Sequence, residues 1–102
     1  MPKPLGFFED TSIDAASPLP GLDTARGAET PGETGPRHVV SALIQAELQA
    51  VRWRDDGTNP TAGVGMLLPV NTVLEYDGDL DDFRCISAVA GAKINVSYYG
   101  VG

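Results

Sequence analysis

The chain has one cysteine, one histidine and one tryptophan in 102 residues, and only seven lysines and arginines. Each scarcity closes off a class of protein. With Cys85 alone, no disulfide can staple the fold from within one chain. It sits in the run Phe83-Arg84-Cys85-Ile86, where it reads as a small buried hydrophobe, with Arg84 on the other face of a strand. One histidine, His38, and one cysteine give no zinc-type ligand set and no Ser-His-Asp or Cys-His arrangement. Seven basic against fourteen acidic residues leave a net charge of −7. That balance argues against a nucleic-acid partner, which needs Lys and Arg to neutralise phosphates. It argues equally against adsorption to an anionic membrane. No apolar run is long enough to cross a bilayer. Residues 1–10 lack the uninterrupted apolar stretch of a secretory signal, and Glu9 and Asp10 follow Phe8 at once. A protein made and folded in a cytoplasm is expected.

Motifs for chemistry are equally scarce. No Gly-Lys-Ser/Thr phosphate loop occurs, and Gly63-Val64-Gly65 is too short for a dinucleotide fingerprint. The acidic run Asp77-Gly78-Asp79-Leu80-Asp81-Asp82 lacks the twelve-residue loop with a terminal Glu that an EF-hand requires. It reads as a solvated acidic turn, with an acidic contact surface as the alternative. Asp55 and Asp56 are neighbours at a strand end, where two side chains diverge, which disfavours an acid/base pair. The expectation is therefore no enzyme, no cofactor and no metal.

What is present falls into two compositions. The first 38 residues hold six of the eight prolines and five of the twelve glycines, with no apolar periodicity. Such a segment cannot offset its ordering entropy by local burial. Residues 1–38 are expected to be an extended Pro/Gly-rich arm, with Phe7, Phe8, Leu19 and Leu22 as anchors on a partner's surface. Residues 39–102 form the second composition, a body of about 64 residues and near the lower limit for independent folding.

In that body, residues 39–51 fit two templates. Val40, Leu43, Ile44, Leu48 and Val51 make a helical stripe, whereas Val40, Ala42, Ile44, Ala46 and Leu48 alternate as in a strand. Downstream the pattern is plainer. Val51-Arg52-Trp53-Arg54 alternates and ends at Asp55-Asp56-Gly57. Val64, Met66 and Leu68 alternate up to Pro69, and Thr72-Val73-Leu74-Glu75-Tyr76 runs to Asp77-Gly78. Residues 83–89 are strand-like, and Ile94, Val96 and Tyr98 share one face. Turn signals recur about every ten residues, the pattern of an antiparallel sandwich or barrel. The fold class expected is all-β, a small jelly-roll-like sandwich or barrel of five to six strands, with residues 42–46 as a strand.

Two groups remain as contact candidates. Trp53 should face the core and Arg52 and Arg54 the opposite side, either pairing carboxylates of a partner or pairing acids of this domain such as Glu75. Tyr98 and Tyr99 lie near the C-terminal end of the sequence, one aromatic expected to fill the core and Tyr99 expected as the partner contact; sugar stacking by Trp53, Tyr98 or Tyr99 is the alternative.

The segments Val51-Arg52-Trp53-Arg54-Asp55-Asp56-Gly57, Gly65-Met66-Leu67-Leu68, Tyr76-Asp77-Gly78-Asp79-Leu80 and Asn95-Val96-Ser97-Tyr98-Tyr99 occur in that order. Over residues 42–99 the chain resembles a family of small tailed-phage virion proteins, in which a Val-Arg-Trp-Arg-Asp-Asp-Gly run opens a compact β domain and an Asn-Val-Ser-Tyr-Tyr-like strand closes it. The stretch from Leu80 to Cys85 is more acidic than the resemblance suggests. The resemblance implies a structural protein on the capsid exterior, a decoration or cement protein whose partner is the major capsid protein or another virion protein. A homo-oligomer, a trimer foremost, fits such a lattice role. The alternatives are a neck, tail or head-fibre component, or a carbohydrate- or receptor-binding module.

Overall fold

The computed structural model describes residues 3–27 and 38–101. Their elements in chain order are β1 (Lys3–Asp10), β2 (Ser17–Pro18), the single-turn helix α1 (Leu22–Ala25), β3 (His38–Glu47), β4 (Val51–Arg54), β5 (Met66–Leu68), β6 (Val73–Tyr76), β7 (Arg84–Ser87) and β8 (Lys93–Val101). The strands make two antiparallel four-stranded sheets, in the orders β1-β8-β3-β6 and β2-β7-β4-β5. Successive strands cross from one sheet to the other, except that β4 and β5 form a hairpin within the second. These are the two strand orders of an eight-stranded jelly roll. The all-β sandwich expected from the turn spacing is the fold. None of the described helices is long and apolar enough to cross a membrane.

Alternation explains the central strands. In β8, Ile94, Val96 and Tyr98 are buried, and Lys93, Asn95, Ser97 and Tyr99 point to the other face. In β3 the buried set is Ala42, Ile44 and Ala46, each registered against one of those three large side chains: Ala42 with Tyr98, Ile44 with Val96, Ala46 with Ile94. Alanines opposite Tyr98 and Ile94, with Ile44 and Val96 paired between them, let the layer fill without voids. Val40 and Leu48, which both templates share, are exposed; the strand is selected by Ala42 and Ala46, which are buried, while Leu43 of the helical stripe lies on the outer face beside Ser97 and Glu75.

An aromatic cluster ties the sheets together. Phe83, wholly buried, stacks on Trp53 with ring centroids 5.1 Å apart and 14° between planes. Tyr76, from the first sheet, meets both rings edge-on at 4.9 and 5.7 Å. Trp53 thus faces inward as its alternation requires, and Cys85 is buried beside this layer on the core side of β7.

The N-terminal segment corrects the expectation of an arm. Residues 3–27 are part of the sandwich: β1 lies antiparallel along β8 over seven residue pairs, and β2 pairs with β7. Leu5, Ile13, Leu19 and Ala25 belong to the same core as Ile44 and Phe83. Four polar ties hold the segment. Ser87 N–H donates to Ile13 O (2.7 Å), Gly91 N–H to Asp14 Oδ1 (3.0 Å), Tyr98 O–H to Pro20 O (2.6 Å), and Arg26 grips both carboxylate oxygens of Asp81 (2.6 and 2.9 Å). The composition misled because prolines are tolerated in edge strands, whose outer side needs no N–H. Pro4 and Pro18 sit in β1 and β2, each at one end of its sheet. The burial that stabilises the segment comes from strands whose paired residues are 66 to 97 positions away, which no local periodicity registers. The expected boundary at 38 therefore divides no arm from body, and the join itself, residues 28–37, lies outside the described residues. Residues 38–101 hold six strands, the upper end of the five to six expected; β1 and β2 are the additional two.

Candidate interaction surface

The second sheet presents a basic outer face. Alternation in β4 turns Arg52 and Arg54 away from buried Val51, and alternation in β7 turns Arg84 and Ile86 away from buried Cys85 and Ser87. Register then sets Arg54 directly opposite Arg84, and Arg52 between Ile86 and Leu67. Three of the five arginines in an acidic chain share one face of one sheet. Like charges directly opposite across a strand pair repel, so each guanidinium needs local acceptors. Arg54 forks onto Asp56, Nε to Oδ1 at 3.0 Å and Nη2 to Oδ2 at 2.5 Å. This pair raises the Arg54 pKa and holds the Asp56 carboxyl below the usual carboxylate range. Arg84 Nη1 donates to the carbonyls of Asp81 (2.7 Å) and Phe83 (2.9 Å). Arg52 Nη1 donates to Gly65 O (3.1 Å), while its Nε is buried with no partner among the described residues. The acid that meets Arg54 is thus Asp56, not Glu75, which points outward from β6 in the other sheet.

The rest of the Val51–Gly57 motif has duties inside the fold. Asp55 Oδ2 accepts the Tyr76 hydroxyl at 2.6 Å, and Asp56 Oδ1 also accepts the Thr58 N–H at 3.3 Å. Burial first, then the Asp55 carboxylate, pushes the Tyr76 phenol pKa up. Gly57 closes the turn at φ 83°, where a side chain is strained. The motif is therefore mainly a recipe for a strand end, a turn and an aromatic core contact.

The first sheet's outer face is mixed. One row across it reads Phe7, Ser97, Leu43, Glu75, and the next reads Pro4, Tyr99, Ser41. An open groove of about 450 Å³ runs here, lined by Ser41, Leu43, Glu75, Asp77 and Tyr99 among others. Tyr99 is half-buried, its hydroxyl 3.2 Å from Ser97 Oγ.

The expected contact residues separate into two groups. Phe7, at 58% exposure, Tyr99, Arg52 and Arg54 lie on outer faces. Leu19, Phe8 and Leu22 do not, which corrects their reading as partner anchors. Leu19 is buried, Leu22 packs against the core, and the Phe8 ring lies 5.9 Å from that of Tyr98. Phe8 also covers Gly21, which adopts φ 69° at the start of α1 and has no room for a Cβ beneath that ring. Sugar stacking by Tyr98 or Trp53 is likewise corrected: Tyr98 is fully buried, and Trp53 is engaged in the aromatic cluster.

The remaining chemical groups are engaged as well. The Cys85 thiol is pushed up to about 12 by burial, far from a reactive thiolate. The acidic run is an ordered turn: Asp79 Oδ1 accepts the N–H groups of Asp81 (3.1 Å) and Asp82 (3.3 Å), and Leu80 between them is buried. No group of three or more His, Cys, Asp or Glu suited to a metal ion occurs among the described residues. Sequence reasoning missed Arg84 as the third member of the basic face, although its strand parity was readable. It also missed Ile13 and the Arg26–Asp81 clamp, which only the fold brings together. Comparison with protein-family models, with curated proteins and with solved structures finds no match to this chain.

Proposed function

We propose that this chain is a non-catalytic structural protein of a tailed-phage virion. In this reading it is a decoration protein, made in the host cytoplasm, that docks on the capsid exterior. The observation that carries the proposal is the gathering of Arg52, Arg54 and Arg84 on one sheet face of an otherwise acidic jelly roll. Guanidinium groups match carboxylates in a planar, bidentate fashion, so this face fits an acidic surface of the major capsid protein or another virion protein. Ile86 and Leu67 beside Arg52 give the face an apolar component. The resemblance of residues 42–99 to small virion proteins supports the same reading. Attachment then rests on the sheet face, with Phe7 the one outward member of the four N-terminal anchors.

Quantifying this chain in purified particles tests the proposal. A copy number that scales with the capsid lattice supports it. A single ring of copies at one vertex points to the neck, tail or head-fibre reading instead. Reversing two charges, Arg54→Glu with Arg84→Glu, should strip the protein from particles at a lower salt concentration than the wild type tolerates.

A second reading has an observation of its own. The groove on the first sheet combines the Tyr99 ring with Ser41, Glu75 and Asp77, a set able to stack on a sugar and bind its hydroxyls. A glycan array in which the wild type binds and Tyr99→Ala does not would favour a carbohydrate-binding module.

A further inference from the structure

The chain contains two Asp-Gly steps, Asp56-Gly57 and Asp77-Gly78. A glycine after an aspartate has no Cβ to shield its main-chain nitrogen, so that nitrogen can reach Cγ of the preceding side chain. The fold requires both glycines, for different reasons. Gly57 sits at φ 83°, where a side chain is strained. At Gly78 the constraint is space: a Cβ there would lie 2.6 Å from Tyr76 Oη. That hydroxyl is held in place, because it donates to Asp55 Oδ2 (2.6 Å) and lies 3.2 Å from Asp79 O.

The two aspartates differ in what holds them. Asp56 takes both arms of the Arg54 fork, and its Oδ1 also accepts the Thr58 N–H. Those bonds fix its carboxylate on Arg54 and Thr58, and the Arg54 pair keeps it ionised. Asp77 is exposed and follows directly after β6. Its carboxylate has no hydrogen bond or ion pair among the described residues, and the exposed Gly78 N–H donates to none of them. Attack at Cγ proceeds from the protonated carboxyl, which loses its hydroxyl as water, so a clamped and ionised carboxylate resists it.

We propose that Asp77-Gly78 is a site of spontaneous isoaspartate formation in this chain, and that the fold protects Asp56-Gly57 from the same reaction. The Gly78 nitrogen attacks Asp77 Cγ. The N–Cγ bond forms, a Cγ–O bond breaks, and the carboxyl hydroxyl leaves as water with the proton of the nitrogen. Solvent water then opens the five-membered imide. Breaking the bond from nitrogen to Cγ restores aspartate. Breaking the bond from nitrogen to the original main-chain carbonyl leaves Gly78 joined through Cγ, with the main chain one methylene longer and the mass unchanged. The added methylene falls between Tyr76 and Gly78, where the glycine packs against the Tyr76 hydroxyl. Tyr76 in turn meets Trp53 and Phe83 edge-on, so the lesion loosens the aromatic cluster.

The test incubates the purified full chain in mildly acidic buffer without any capsid, so its outcome is independent of the virion reading. Electron-transfer fragmentation, which recognises isoaspartate by cleavage of its Cα–Cβ bond, reads the two sites separately. In the folded chain, product should accumulate several-fold faster at residue 77 than at residue 56. In denaturant, where the Arg54 fork is gone, the two rates should converge. Arg54→Ala, with the β-sheet circular dichroism retained, should raise the folded-state rate at residue 56 several-fold. Equal rates at the two sites of the folded wild type overturn the proposal, as does a residue 77 that reacts only in denaturant. An Asp56 still protected in folded Arg54→Ala overturns the role of the fork. The urea midpoint of the wild type should fall as product accumulates, whereas Asp77→Glu, which closes no five-membered ring, should hold its midpoint over the same incubation. A wild-type midpoint that holds while product accumulates overturns the coupling to the aromatic cluster.

Discussion

Phe83 shows how much of this fold rests on single side chains. It precedes β7, is wholly buried, and touches an aromatic ring from each sheet. Stacked and edge-on ring pairs add to simple area burial. Truncation to alanine removes both contacts and leaves a cavity between the layers. Phe83→Ala should therefore cost about 3–5 kcal/mol, read as a lower urea midpoint with an unchanged slope. Trp53 is the only tryptophan and lies against Phe83, so its fluorescence reports the same transition. At this scale strand parity placed Trp53 inward and Arg52 and Arg54 outward from the sequence alone, and set Ile94, Val96 and Tyr98 together on the face opposite Tyr99. It did not reveal that Tyr98 would donate its hydroxyl to Pro20, because that bond joins residues 78 positions apart.

At the scale of elements, β1 and β2 decide what the N-terminal segment is for. An arm that anchors on a partner can be cut away and leave a folded body. A segment that supplies one strand to each sheet, and four side chains to the core, cannot. Deleting residues 1–27 exposes the inner edge of β8 and uncovers Tyr98 and Ile94. The truncated chain should lose its cooperative thermal transition or aggregate, since unpaired edge strands with apolar faces associate. A truncated chain that melts cooperatively near the wild-type temperature would show that these strands are dispensable. Residues 42–46 illustrate the converse: both a helix and a strand pattern fitted, and pairing with β8 selected the strand by burying Ala42, Ile44 and Ala46 together.

For the molecule as a whole, charge links stability to pH. Among the described residues, four carboxyls are held below the usual range by folded-state partners. The Gly91 N–H lowers Asp14, the Asn95 amide and then Lys93 lower Glu47, Arg54 lowers Asp56, and Arg26 lowers Asp81. A depressed carboxyl contributes stability that is fully present above its unfolded pKa, about 4, and is lost as pH falls through the folded value. Asp82 works the other way: its neighbour Asp79 raises its pKa, so acid relieves that repulsion. Four groups against one predict a fold whose melting temperature falls as pH drops below about 4. Asp14 and Asp81 both tie down the N-terminal segment, so it should loosen first. Thermal melts between pH 7 and 3 check the trend, and Asp81→Asn should flatten part of it. A melting temperature independent of pH would refute the assignment of these ties.

The sequence by itself determined the all-β class, five to six strands in residues 39–102 and the inward side of Trp53 and Cys85, because a period of two is a local property of neighbouring residues. Its acidic balance and single cysteine and histidine also bounded the chemistry. Only the tertiary structure decided that residues 3–27 belong to the sandwich and that Arg84 completes a basic face. Each of these depends on which strands lie side by side, and register between distant segments is set by the burial of the whole core.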